Sequence, residues 1–264
     1  MLVTGMDIFS FDPSSMMSFL LTIMRISLLV FLLPFFGGET IPAQVKAAVA
    51  LMLTFAVWPR MALSGSFFPA HPFNLFLLIF SEVMLGMVLG AMVHFIFVGL
   101  QVGGEVIGFQ MGLSMITLAD PSTGNQLTAA AFLVQTVAMA LFLSMDGHLY
   151  ILSALIGSFN LVGPGQLFLN PPGLVDLLQL SGQMFSLALK IAGPVIGCLF
   201  LVELGLALMA KVAPQMNLLT LGFPIKIGLG LLLLSIVFSL ISLFFDDFIK
   251  GSGNMFDNIM RTLR

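Results

Sequence analysis

The sequence predicts an all-α fold, a membrane-associated helical hairpin bundle, on three observations. Of its 264 residues 59% are hydrophobic and only 8% are charged, with a mean hydropathy of +1.14. A soluble domain carries roughly a quarter charged residues, so most of this surface does not face water. Apolar runs recur at membrane-crossing lengths without strand-period alternation, and lipid leaves only helices and closed barrels. The connections between the runs are short and rich in Gly and Pro, which predicts tight hairpins and no second folded domain.

The runs follow in order. Ser15–Phe36 comes first; the twelve residues at the N-terminus carry Asp7 and Asp12 but no Lys or Arg, the opposite of a basic leader, so this run is expected to stay as a helix. Ala43–Trp58 follows the Phe36-Gly37-Gly38-Glu39 break. Phe73–Leu100, at 28 residues, would be about 42 Å long at a rise of ~1.5 Å. That exceeds a hydrocarbon core of ~30 Å, so it must tilt, kink or project. Leu127–Met145, an ambiguous shorter run at Leu149–Leu161, Leu174–Ile191, Pro194–Ala210 and Leu218–Phe245 complete the series. Six or seven of these qualify as spans by length. Gly163-Pro164-Gly165, Asn170-Pro171-Pro172-Gly173 and Ala213-Pro214-Gln215-Met216-Asn217 punctuate the second half. Residues 1–264 are read as a single integral membrane domain.

Several function classes are excluded. A net charge of −3 is too small to imply nucleic acid. Cys198 is the single cysteine, which rules out a disulfide framework or thiolate metal cluster; its apolar setting predicts a packed small hydrophobe. There is no His-Glu-x-x-His helix and no Walker phosphate loop. Gly112-Leu113-Ser114-Met115 lacks the last glycine of a rhomboid-type serine turn, and a GxGD aspartyl pair is missing. His71, His94 and His148 are too scattered for a metal site. The chain is read as non-enzymatic, with no cofactor and no metal.

Other features resist a simple lipid-facing bundle. One Trp and one Tyr cannot make two aromatic belts, although there are 27 Phe. Lys46, Arg60, Lys190, Lys211, Lys226 and Lys250 do not segregate into alternate loops, so orientation is left open. Arg25, Glu82, Glu105 and Glu203 lie inside apolar runs. A mid-helix charge such as Arg costs about 2.5–3.5 kcal/mol on insertion scales, so these groups are expected to face protein or water. They are either satisfied structural charges at a subunit contact or parts of an ion pathway.

The most informative stretch is Gly99–Gly124, GLQVGGEVIGFQMGLSMITLADPSTG. Its glycines include a ladder at Gly104, Gly108 and Gly112, with Phe109, Met111, Leu113, Met115 and Ile116 among them and an Asp120-Pro121 turn before Gly124. Glycine at that density allows close approach and bending. Large flexible apolar side chains can fill an opening without fixing one geometry. The segment, and the loop over about residues 104–124 in particular, is a candidate plug. Small-xxx-small spacings at Gly86 and Gly90, at Gly104, Gly108 and Gly112, and at Gly193 and Gly197 predict flat faces for helix packing. These features alone leave a gate and a self-contained transporter with a midplane binding site comparable; a structural scaffold whose glycine-rich segment is a packing turn is the third reading.

Val106-Ile107-Gly108-Phe109-Gln110-Met111-Gly112, followed by Asp120-Pro121 and Gly124, resembles the FliR family, subunits of the bacterial flagellar type III export gate. Ala213-Pro214-Gln215-Met216-Asn217 with Leu221-Gly222-Phe223-Pro224-Ile225-Lys226 is a second match, and Phe36-Gly37-Gly38 to Ile41-Pro42 a weaker third. The likeness runs over essentially the whole chain, and virulence-type secretion counterparts share the layout. It implies a bundle built for assembly with sister subunits: FliP- and FliQ-type subunits around a closed channel, FlhB and FlhA as further export components, and unfolded flagellar proteins as cargo. It implies a bacterial inner-membrane, basal-body location, with part of the assembly projecting to the periplasmic side. By the same resemblance Phe109, Met111, Leu113, Met115 and Ile116 would line the constriction, with Gly104, Gly108, Gly112 and Gly124 as loop hinges. Gly86, Gly90, Pro214, Asn217 and Pro224 would serve inter-subunit packing.

Overall fold

The computed structural model describes residues 13–37, 41–60, 71–114, 127–163, 171–213 and 218–262. Met115, Ile116, Gly124, Pro214 and Asn217 lie outside the described residues. Every regular element among those described is helical. The helices are α1 (Pro13–Leu32), the single turn α2 (Pro34–Gly37), α3 (Ala43–Val57) with a 3₁₀ turn at Trp58–Arg60, α4 (Pro72–Met111), α5 (Ala129–Ser144), α6 (Gly147–Leu161), α7 (Pro171–Val212) and α8 (Leu218–Thr262).

Among the described residues four helices are long and apolar enough to cross a membrane, or five if α5 and α6 form one broken span. This corrects the six or seven spans expected from apolar length. The runs around Leu174–Ile191 and Pro194–Ala210 belong to one 42-residue helix that passes through Pro194. Ala43–Val57 makes only 15 helical residues, short of the ~20 that span hydrocarbon. The run ending at Met145 is interrupted at Asp146, which takes φ 58°. The chain is a membrane protein by the length and composition of these helices.

The described residues fall into two compact units. The first draws on Met1–His94, Leu149–Leu177 and Gly253–Arg264. Here α1 packs on α3, with the Phe19 ring 5.1 Å from Phe55 and 5.7 Å from Trp58. The first half of α4 approaches α1 where Gly86 and Gly90 leave room. A Cβ on Gly86 would lie 2.8 Å from the Arg25 carbonyl oxygen, and one on Gly90 would lie 2.6 Å from the Leu32 side chain. These two glycines, expected between subunits, thus serve packing inside the chain.

At the centre of this unit Arg25 and Glu82 are both fully buried and paired. Arg25 Nε donates to Glu82 Oε2 at 2.6 Å, and Nη2 donates to Oε1 at 2.9 Å. Nη1 and Nη2 reach the Val162 carbonyl at 3.3 and 3.2 Å, just past the end of α6, and Nη1 reaches Ser158 Oγ at 3.3 Å. The guanidinium carbon stands 4.1 Å from the Phe159 ring centroid. One arginine therefore neutralises α4 and caps the carbonyl end of α6, where a cation also complements the helix dipole.

The second unit draws on Phe95–His148 and Leu178–Ser252. Its core is a buried triad of rings, Phe97, Phe142 and Phe245, with centroids 5.4 to 5.8 Å apart. The second half of α4 presents two small faces. Gly99 and Gly103 abut α7 at the Met184 and Ala188 carbonyls, and Gly104 abuts α5 at Ala131. Residues 103 and 104 are about 100° apart on a 3.6-residue helix, so α4 wedges between two neighbours. By contrast, a Cβ added to Gly182, Gly193, Gly197 or Gly205 of α7 would meet nothing within 4 Å. Cys198 shares that outward stretch and is exposed, contrary to the packed thiol expected from its apolar neighbours.

Candidate functional site

The glycine-rich segment was expected to become a loop near residue 104. Instead α4 continues to Met111, so Gly104 and Gly108 are helical. Glycine inside a helix is destabilising by roughly 0.5–1 kcal/mol relative to Ala, and here close packing offsets it. A Cβ on Gly104 would lie 2.7 Å from Ala131 Cα, and one on Gly108 would collide with the Thr128 hydroxyl. Thr128 in turn caps α5: its hydroxyl accepts from the Ala131 N–H at 3.2 Å. Its own N–H donates to Glu105 Oε1 at 2.9 Å. Glu105, a charge inside an apolar run, thus completes the N-cap of a neighbouring helix.

The end of α4 is a Schellman cap. The Gly112 N–H donates to the Phe109 carbonyl at 3.0 Å, and the Leu113 N–H donates to the Gly108 carbonyl at 2.9 Å. Gly112 takes φ 84°, the left-handed conformation that favours glycine at this position. Of the four glycines expected as hinges, Gly112 is the described one whose backbone leaves the helical range.

Three successive residues fasten this end to α7 and α8. Gln110 Nε2 donates to Glu203 Oε2 at 3.2 Å. Met111 is 0% exposed, and its side chain covers Gly230, where a Cβ would lie 2.6 Å from its sulfur. Gly112 faces the Phe223 ring, whose edge would stand 2.6 Å from a Cβ there. Glu203 also accepts from Lys226 Nζ at 2.8 Å. Phe223, Lys226 and Gly230 share one face of α8 by their i, i+3, i+7 spacing.

Phe109 does the opposite. Phe109 is 72% exposed, two residues before Met111, which has no exposure at all. Leu113 is half-buried, and Pro224 lies inside α8 and is exposed. The residues expected to line a constriction therefore separate: Phe109 points outward, while Met111 fills a gap left by Gly230. Gln110, Glu203 and Lys226 were not singled out as a group. Opposite charges set in two separate apolar runs, at 203 and 226, were the available signal.

Among the described residues, no group of His, Cys, Asp and Glu could hold a metal ion. Arg25, Glu82, Glu105 and Glu203 each find a partner within the chain.

Comparison with known proteins identifies the family. The bacterial export proteins, family 1, match residues 16–252. The flagellar biosynthetic protein FliR of Escherichia coli (strain K12) is 30% identical over 241 residues, covering 91% of this chain and 92% of its own length. FliR of Bacillus subtilis (strain 168) is 30% identical over 230 residues, with 85% and 87% coverage. FliR of Aquifex aeolicus (strain VF5) is 28% identical over 243 residues, with 89% and 92% coverage. Matched over nearly its whole length, this helical membrane chain belongs to the bacterial export proteins, family 1, the family of the FliR proteins.

Proposed function

We propose that this chain is a subunit of the flagellar protein export gate, closing a conduit for unfolded flagellar proteins together with FliP- and FliQ-type subunits. As a member of its family it is a non-enzymatic transport component of the membrane. The observation that carries the gate reading is the contrast at the end of α4: an outward Phe109 ring beside a firmly seated Met111 and Gly112. An apolar ring held on a fixed stem can dewet a narrow passage and block ions, with Leu113, Met115 and Ile116 continuing the apolar lining. FlhB- and FlhA-type components would stand beside and below the gate, in the inner membrane at the basal body, with part of the assembly on the periplasmic side.

Two further observations support assembly. The apolar span of α7 is only 22% buried within the chain, against 56% for α4, and α7 carries the open glycines that allow a neighbouring helix to approach. The relatives carry flagellar names, which favours the flagellar over the virulence-type system. The four charges that made a self-contained transporter attractive, Arg25, Glu82, Glu105 and Glu203, each have an intrachain partner, so none of the four stands unpaired at a midplane site.

Substituting Phe109→Ala tests the closure directly, because it removes the outward ring and leaves the Gly108–Thr128 contact whole. Cells with a normally assembled variant gate should leak ions or small solutes. An assembled Phe109→Ala gate as tight as the unaltered one removes Phe109 from the closure.

A further inference from the structure

The last turn of α4 is held by two kinds of contact that differ in how readily they release. Met111 on Gly230 and Gly112 on Phe223 are packing contacts. The third contact is polar and partly open to its surroundings: Gln110 binds Glu203, which is 51% exposed and bridged to Lys226, itself 18% exposed. Lys226 shares the α8 face of Phe223 and Gly230, so one face supplies both the packing seat and the charge. An exposed carboxylate on an apolar helix such as α7 is costly unless neutralised. Lys226 alone would meet that need; the additional bond to Gln110 ties the charge pair to α4.

We propose that Glu203 and Lys226 are positioning residues for the closed state, acting through Gln110 as a releasable latch on the stem that carries Phe109. This rests on the gate reading above. When Gln110 lets go, Glu203 keeps Lys226, so no lone charge is left on α7. A single hydrogen bond, worth about 0.5–1.5 kcal/mol net, can part when a polypeptide presses on the stem and re-form afterwards. Gln110 suits the role because its amide offers both a donor and an acceptor, so it can bind either member of the pair.

The test uses the assembled gate with two readouts. The first is hydrogen exchange at the Gly112 and Leu113 amides, which bond to the Phe109 and Gly108 carbonyls; the second is small-solute leak in cells. Gln110→Leu keeps the ion pair, and Glu203→Ala removes it. Both should speed exchange, by about two- to tenfold, and raise leak. The exchanged pair, Glu203→Lys with Lys226→Glu, should restore both readouts. If Phe109→Ala leaks while Gln110→Leu and Glu203→Ala match the unaltered gate, the latch is wrong and the plug stands. Failure of the exchanged pair to restore also overturns the latch. A tight Phe109→Ala gate overturns the plug, and the latch with it. Should Glu203→Ala fail to assemble, Gln110→Leu decides, since it leaves the charge pair in place.

Discussion

Arg25–Glu82 and Glu203–Lys226 are ion pairs of nearly equal length, 2.6 and 2.8 Å, in two units of the same chain. The first is fully buried and bidentate, stacked on Phe159, and shared with the end of α6. The second is half open and shared with a glutamine at the end of α4. Burial sets their roles. A buried pair holds its elements together because either charge alone is intolerable there, whereas the half-open pair can let Gln110 go while its two charges stay together. The glycines divide the same way: those of α4 are filled by neighbouring helices of the chain, and those of α7 are open.

The largest effect is expected at the buried pair. Glu82→Ala leaves Arg25 uncompensated and should destabilise the first unit by about 3–5 kcal/mol, seen as loss of the protein from membranes. Replacing both partners, Arg25→Met with Glu82→Leu, should recover much of that level, since a well-packed apolar pair is often neutral. Failure of the double variant would mean that the cap on Val162, and not charge balance, holds α6.

Next in size are the filled glycines. Gly104→Val drives a branched side chain into the Ala131 backbone and should cost about 1–3 kcal/mol, lowering the thermal stability of the purified gate. Glu203→Gln, at the half-open pair, should cost less than Glu82→Ala, because the amide oxygen can still accept from Lys226. A loss as large as that of Glu82→Ala would erase the distinction between the pairs. The smallest intrinsic effect belongs to Gly193→Ala on the open stretch of α7. It should leave the chain's own fold unharmed, or slightly steadier, because Ala favours helix over Gly by about 1 kcal/mol. Lower co-purification with FliP- and FliQ-type subunits would then show that a partner helix uses that face.

Legibility in the sequence followed the physics. The helical class and the membrane setting were readable because lipid permits few backbone solutions. Helix ends were not. Glycine density at 99–112 suggested a loop, yet Gly103, Gly104 and Gly108 sit where neighbouring backbones approach, and local composition cannot report a neighbour. Pro194 suggested a break in what is one helix, since a proline is tolerated when the freed groups are satisfied nearby. Partner choice across 57 residues for Arg25 and 23 for Lys226 is a tertiary fact with no local signature. Of the proposed lining, Phe109 and Met111 looked equivalent as large apolar residues among glycines. Gly230, on a distant helix, leaves the room that Met111 fills, and nothing near residue 111 reports it.

The gate proposed above has export cargo passing at the Phe109 ring. A photo-crosslinking amino acid at position 109, in cells with an export substrate arrested in transit, tests it most directly. Adducts to the arrested polypeptide, absent when export is idle, are the expected result. Adducts only to gate subunits or lipid in both states would rule out passage at this ring.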